Sequence, residues 1–552
     1  MEPVPGWREA AMAALASEPF DILIIGGGIT GAGVAREAAL AGYRTALLER
    51  DDFAAGTSSR SSRLVHGGVR YLEHGHLGLV FESSRERRLL LSLAPHLVRP
   101  LAFTWPVYRG ARVPRWKVRA GLLLYDALAL FRNVHRHEGL DTQGVLSYEP
   151  ALDRQALVGG ARYWDAATDD SRLTLANAQG AADAGAVVLN HCGVVAGLHE
   201  GSRLVGVTAE DALTEARFDV RARVVINATG PWSDATSALT GTAQGAQVFG
   251  SAGAHVAVPR QRIGNRDALT IVSPLDGRVM FVLPAGAHAI IGTTEQPARR
   301  GPDTIRATVA DVTYLLQSIN RVFPFAQLSL DDVISAWCGI RPLALARAGE
   351  HNANAASREH AITTRSDGQL SVTGGKLTTY RAMAADILRH ARQALGESHA
   401  GAHLEMEQRS RTTPLPGGDI TSREAVAAEA SGTVRDVAVG ERLAQAYGSR
   451  WRNVWSYVQR TPALGNRISD DLPYLAAEVA HAIEREWACT FADVLVRRTH
   501  LAFETRNHGH TAARRIAPIM QTLLGWSDAE LDRQLAAYDA DITRLFTIDE
   551  MS

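Results

Sequence analysis

The stretch from Phe20 to Glu49, FDILIIGGGITGAGVAREAALAGYRTALLE, constrains the fold more than any other part of the chain. An apolar run, Ile22 to Ile25, meets three consecutive glycines. A helix-compatible run of small residues, a Gly-Tyr break and a second apolar run ending at Glu49 follow. Gly26, Gly28 and Gly31 satisfy the G-x-G-x-x-G spacing, with Gly33 as a further small residue. Gly26 is expected to make the tight turn, Gly28 to let backbone N–H groups reach a pyrophosphate, and Gly31 to allow close helix–strand packing. The helix N-terminus adds oriented donors and partial positive charge. Glu49 is placed to take both hydroxyls of a ribose. The stretch reads as a dinucleotide-binding βαβ unit, with NAD and FAD both open at this point.

The chain has 552 residues, more than a single core organises, so about two to four domains are expected. Its net charge of −1 argues against wholesale nucleic-acid binding. Cys192, Cys338 and Cys489 form no C-x-x-C, which fits a reducing compartment and excludes a cysteine-built metal site; no metal is expected. No apolar run reaches about 18 residues. Residues 1–19 lack the h-region of a signal peptide and read as an N-terminal extension on a cytosolic-facing chain.

Asp51 to Gly75, DDFAAGTSSRSSRLVHGGVRYLEHG, is crowded with hydroxyls, basic groups and glycines. It reads as a loop over a bound cofactor, with Thr57, Ser58, Ser59 and Arg63 as donors; an exposed loop is the plainer alternative. Val80 to Ala94 reads as a helix closed by Pro95. Arg112 to Arg132 starts basic with a Trp (RVPRWKVR) and continues GLLLYDALALF. It fits an interfacial membrane helix and an ordinary core-packed helix equally well. Asp165 to Ala184 reads as a helix capped by Asp169, Asp170 and Ser171.

A buried strand, Arg223 to Ala228, runs into Thr229-Gly230-Pro231-Trp232, a second strand-to-glycine turn able to return to the nucleotide. Strand-like segments between Gly245 and Ile291 predict an inserted antiparallel sheet. Ile305 to Phe323 reads as a helix. Leu370 to Arg381, LSVTGGKLTTYR, reads as strand, double glycine and helix, a third turn aimed at the cofactor. A linker at Arg411 to Gly418 leads into helices at Ala425–Ala430, Val437–Tyr447, Ala476–Trp487, Phe491–Arg498 and Gly509–Leu524. The expected division is 1–19 extension, 20–410 nucleotide-binding domain with its interleaved sheet, and 411–552 helical domain without chemistry of its own.

Taken together, Phe20–Glu49, TSSRSSRLVHGGVRYLEHG, NATGPW, GRVMFVLP, IIGTTE, WCGIRPL, ASREH and GGKLTTYR, in that order, resemble the FAD-dependent glycerol-3-phosphate dehydrogenases of the aerobic, quinone-linked kind. The resemblance runs over roughly residues 20–540, and HGG-x-RYLE and GGKLTTYR are its most specific pieces. It implies FAD in an α/β, glutathione-reductase-like fold with an antiparallel substrate-binding sheet. It also implies oxidation of sn-glycerol 3-phosphate to dihydroxyacetone phosphate and delivery of electrons to membrane quinone. A peripheral position on the inner face of the cell membrane follows, with segment 112–132 as the candidate contact; a homodimer is left open.

By the same resemblance the cofactor-binding residues are Gly26, Gly28, Gly31, Glu49, Thr57, Ser58, Ser59, Arg63, His66, Thr229, Gly230, Gly375, Lys376, Leu377 and Thr378. The substrate residues are Arg70, Tyr71, Arg278, Arg341, Arg358 and Lys376. Ala252 and Ala254 stand where the family usually reads lysine and serine before its histidine, here His255, which thins the polar support expected around that ring. Arg63 and Cys338 stand where lysine and serine are usual.

The chemistry of these side chains suits such a substrate. A phosphomonoester needs a multidentate cationic pocket, and arginine's planar fork matches phosphate oxygens. Alcohol oxidation needs a base, for which His255 is the candidate. Arg341 and Lys376 can stabilise the alkoxide and the reduced flavin. The competing readings are a glycerol-3-phosphate oxidase using O₂ and a non-catalytic flavin-binding regulatory protein.

Overall fold

The computed structural model describes residues 6–241, 248–345, 359–397 and 408–550, without the side chains of Arg70, Glu73 and His74. Two sheets organise it. The first has a parallel centre: Phe20–Ile25 lies between Thr45–Leu48 and Arg217–Asn227, and Val187–Leu189 and Leu370–Thr373 extend it on either side. Ala361–Thr364 closes one edge antiparallel to Leu370–Thr373.

Alternation along the central strand explains the two covered faces. Ile22 and Ile24 pack with Val34, Leu175 and Ile387, from the helices Ile29–Leu40, Asp170–Asp183 and Tyr380–Ala394. Leu23 and Ile25 face the opposite way, with Leu204, Val207 and Leu15. Leu15 belongs to a helix, Trp7–Ser17, inside the stretch expected to be a mere extension. Arg8 ties that helix down, donating to Asp211 and to the Asn190 carbonyl, each at 2.7 Å.

The second sheet is largely antiparallel and wider than the expected insertion. Val248–Pro259, Ala268–Val272, Val279–Ala285 and His288–Gly292 form the expected part. Val98–Tyr108 and Leu157–Thr168 join it from earlier in the chain, and Ser335–Ala344 from later. Ala254, Val256, Met280 and Ile291 pack beneath the helix Val309–Val322 through Val312, Leu315 and Ile319. That helix opens with a capping box between Thr308 and Asp311. The helix expected from Asp165 begins at Asp170, because Asp165–Thr168 completes a strand; Asp169 is its cap, accepting from the Arg172 N–H at 2.9 Å.

The C-terminal region is helical, as expected, and includes Trp451–Arg460 and Asp528–Phe546, which the sequence reading did not name. Asp493–Arg498 forms a π-helical turn pressed against the loop that follows Thr45–Leu48. Fully buried Asp52 receives Arg497 Nε at 2.5 Å and both Nη groups of Arg498. No described helix is long and apolar enough to cross a membrane.

Candidate active site

The three glycine turns and the second sheet enclose a cleft of about 410 Å³. On its nucleotide-sheet wall, Gly26 turns at φ +106°, and a Cβ there would sit 2.9 Å from the Ala228 carbonyl oxygen. Gly31 lies behind the cleft lining, where a side chain would collide with the Gly26 carbonyl, so its part is helix–strand packing. Ser58 Oγ accepts the Ile29 N–H at 2.9 Å, at the start of the helix Ile29–Leu40. Glu49 accepts from the backbone of Gly27 at 2.6 Å and of Asp51 at 2.8 Å, and burial pushes its carboxyl up to about 7.

Thr57 lines the cleft and donates to the Ile340 carbonyl at 2.6 Å. His66 lines it too, with its backbone bound to Thr378: the His66 N–H reaches Thr378 Oγ1 at 3.1 Å, and that hydroxyl lies 3.2 Å from the His66 carbonyl. Thr229, Gly230, Gly375, Lys376 and Leu377 complete this side, the glycines at φ +57° and +87°.

Two expected donors point elsewhere. Ser59 is buried and turned into its own loop, its hydroxyl 3.4 Å from the Gly56 carbonyl. Arg63 sits at φ +53°, which swings its side chain out of the cleft toward the helical domain. Its guanidinium lies 4.9 Å over the Phe503 ring and 3.3 Å from His500 Nδ1.

The second sheet supplies the opposite wall. Gly253 and His255 project into the cleft beside Gly339 and Arg341 of the paired strand. A Cβ on Gly253 would stand 2.5 Å from Arg341 Nη2, so this glycine makes room for the guanidinium. Arg341 also donates to Thr293 Oγ1 at 2.9 Å. Lys376 Nζ rests 3.7 Å from the centre of the Tyr71 ring, and both line the cleft.

His255 is 2% exposed, stacked on Trp337 with 5.5 Å between ring centres, and hydrogen-bonded at Nε2 to Ser62 Oγ at 2.9 Å. Burial, then Arg341 and Arg63, hold its pKa down to about 3, so the ring is neutral. Ala252 and Ala254 occupy the opposite face of the strand, with Ala254 fully buried in the core under the helix Val309–Val322. Polar support for His255 is therefore not thinned by those two alanines: it arrives from Ser62, on another segment.

Of the remaining expected substrate residues, Arg278 stands outside the cleft lining, donating to the Glu295 carbonyl at 3.1 Å. Arg358 lies outside the described residues, as does the side chain of Arg70, whose backbone follows Gly68 in a short turn. Sequence reading passed over Ser62, Arg60 and Thr293. Arg60 lines the cleft, and burial lowers its guanidinium to about 10. All three lie within or beside quoted motifs, where the abundance of hydroxyls and arginines gave no sign of which ones turn inward.

The donor set fits a dinucleotide that ends in a redox ring. A helix N-terminus, glycine turns with no room for a Cβ at Gly26 and Gly375, and the half-buried Glu49 carboxyl form one part of the cleft. Arginine, lysine and histidine form the other. This fold and site define a dinucleotide-dependent oxidoreductase.

Residues 21–401 match the family of FAD dependent oxidoreductases, and residues 408–531 match the C-terminal domain of alpha-glycerophosphate oxidase. Glycerol-3-phosphate dehydrogenase 2 of Mycobacterium tuberculosis is 38% identical, with 98% of this chain and 90% of that protein aligned. The human mitochondrial glycerol-3-phosphate dehydrogenase is 36% identical across 97% of this chain and 75% of its own length. The FAD complex of glycerol-3-phosphate dehydrogenase from Bacillus halodurans superposes with a TM-score of 0.80 at 29% identity, covering 98% of this chain and 97% of that one. The chain belongs to the FAD-dependent glycerol-3-phosphate dehydrogenase family.

Proposed function

We propose that this protein oxidises sn-glycerol 3-phosphate to dihydroxyacetone phosphate and passes the electrons to a quinone at a membrane surface. The observation that carries the reading is the meeting of Arg341, Lys376 and His255 in one cleft with the glycine turns. When bound, FAD supplies the two-electron acceptor for hydride leaving the substrate carbon. Gly26, Gly28, Glu49, Ser58, Thr229, Gly375, Lys376 and Thr378 are the residues that would hold it. Arg341 and Lys376 bind the phosphate's charge and stabilise oxygen as it loses its proton. A neutral His255, kept so by burial beside two guanidiniums, has a nitrogen lone pair ready for that proton.

Membrane delivery is supported by the surface around the helix Arg115–Leu128. Val118, Leu122 and Tyr125 bury one face, while Trp116, 71% exposed, and Leu123, 56% exposed, stand on the other. Leu77 and Phe81 of the preceding helix and Leu130 and Phe131 just after this one are exposed as well, as are Arg112, Lys117 and Arg119. Such a pairing of apolar and cationic side chains suits an anionic bilayer surface.

The test is steady-state turnover with a soluble quinone analogue and, separately, with O₂. One quinone should be reduced per dihydroxyacetone phosphate formed, with little peroxide. Stoichiometric peroxide with a slow quinone reaction would favour the oxidase reading, in line with the name of the C-terminal domain family.

A further inference from the structure

The candidate base lines the cleft but is almost wholly covered, and its hydrogen-bond partner stands beside it at the same wall. His255 has 2% of its surface exposed, whereas Ser62 is only partly buried and lines the cleft. Ser62 Oγ stands 2.9 Å from Nε2, while Nδ1 has no hydrogen-bond partner among the described residues. The ring is held in place. Trp337 stacks on one face at an interplanar angle of 10°, and the strand opposite leaves no room at Gly292, where a Cβ would strike the imidazole.

Ser62 is itself held from both sides. Ser61 Oγ donates to buried Asp170 at 2.7 Å and accepts the Arg63 N–H at 2.9 Å. The Arg63 side chain is fixed by His500 and Phe503 of the helical domain. The charged groups near the imidazole are Arg341 and Arg63, and Lys376 and Glu295 line the same cleft.

We propose that Ser62 is a catalytic residue, the hydroxyl through which the substrate's alcohol proton reaches His255. This rests on the substrate reading above. As the carbinol C–H bond breaks and its hydride leaves to the bound flavin, the oxidant of the family reaction, the alcohol O–H bond breaks too. That proton bonds to Ser62 Oγ while the proton of Ser62 passes to His255 Nε2. The product is a ketone, a neutral serine and an imidazolium; once the ketone leaves, the neighbouring guanidiniums favour return of that proton through Ser62 to water entering the cleft.

The experiment compares FAD-loaded wild type, Ser62→Ala, Ser62→Thr, His255→Gln and the double variant. Anaerobic single-turnover bleaching by glycerol 3-phosphate is read beside ligand affinity from the flavin spectral shift with a non-oxidisable glycerol phosphate analogue. The imidazole ¹⁵N shifts of His255 give a readout independent of turnover. Ser62→Ala should bleach about 10²- to 10⁴-fold more slowly, the usual range for losing proton transfer. Its affinity for the analogue should stay within about threefold of wild type, and its Nε2 resonance should move. Ser62→Thr should recover most of the rate, and the double variant should be no slower than the slower single variant. Wild-type bleaching in Ser62→Ala, or losses that multiply in the double variant, would overturn the relay alone. A wild-type protein that holds FAD but is not bleached would overturn the substrate reading and the relay together.

Discussion

Glu49 accepts the Gly27 N–H at 2.6 Å, so the acid that ends the second strand braces the glycine turn that follows the first. Burial raises its carboxyl to about 7, above the usual carboxylate range. The folded chain then binds more protons than the unfolded one between about pH 4.5 and 7, and this part of its stability is lost as pH rises through that window. The ligand-free protein should melt at a lower temperature at pH 8 than at pH 6, as read by thermal shift. Glu49→Gln should flatten that difference and weaken FAD binding by about 10- to 100-fold, the scale of a lost charge-assisted hydrogen bond.

Gly31→Ala should be disabling, because the added methyl collides with the Gly26 carbonyl, backbone against backbone. A loss of about 3 kcal/mol, the upper end for overpacking, is expected, visible as a lowered melting temperature and poor FAD retention. Gly121→Ala, in the helix Arg115–Leu128 with nothing near its Cβ, should instead be neutral or stabilising by up to about 1 kcal/mol.

Asp52 joins the cofactor loop to the helical domain. Asp52→Ala would leave Arg497 and Arg498 buried beside an emptied position, a break that costs about 3–5 kcal/mol in comparable buried pairs. Chemical denaturation should show that loss. FAD content should fall with it, since the loop that follows Asp52 carries Thr57 and Ser58.

Trp116→Ser and Leu123→Ser should each reduce sedimentation with anionic vesicles by about tenfold or more, given about 1.5–3 kcal/mol for burying such a side chain. Replacing Arg112, Lys117 and Arg119 with glutamine should weaken binding chiefly at low salt. Turnover with a soluble acceptor should be unaffected in both sets. Unchanged sedimentation would remove this surface as the membrane contact.

Local pattern was enough for the first βαβ unit, where strand, glycine turn, helix and terminal acid follow one another without interruption. The turns at Gly230 and Gly375 were legible for the same reason. The second sheet was only half legible: Val98–Tyr108 and Leu157–Thr168 pair with each other across a long intervening segment, and no local signal marks such a partner. The cleft's finer arrangement was hidden too. Arg63 turns away because of a positive φ, and Ser62 reaches His255 from a distant segment. The alanines at 252 and 254 looked like lost polar support until strand parity placed them in the core.

Arg341, Lys376 and His255 are proposed to form the working part of a glycerol 3-phosphate cleft. The most direct test is anaerobic mixing of the FAD-loaded protein with glycerol 3-phosphate, watching the oxidised flavin band near ~450 nm. Glycerol 3-phosphate should bleach the band rapidly, and glycerol at the same concentration should leave it unchanged. Arg341→Met and Lys376→Met should retain FAD but bleach at least about 100-fold more slowly. A flavin that stays oxidised in the wild type, or bleaches equally in both variants, would contradict this assignment.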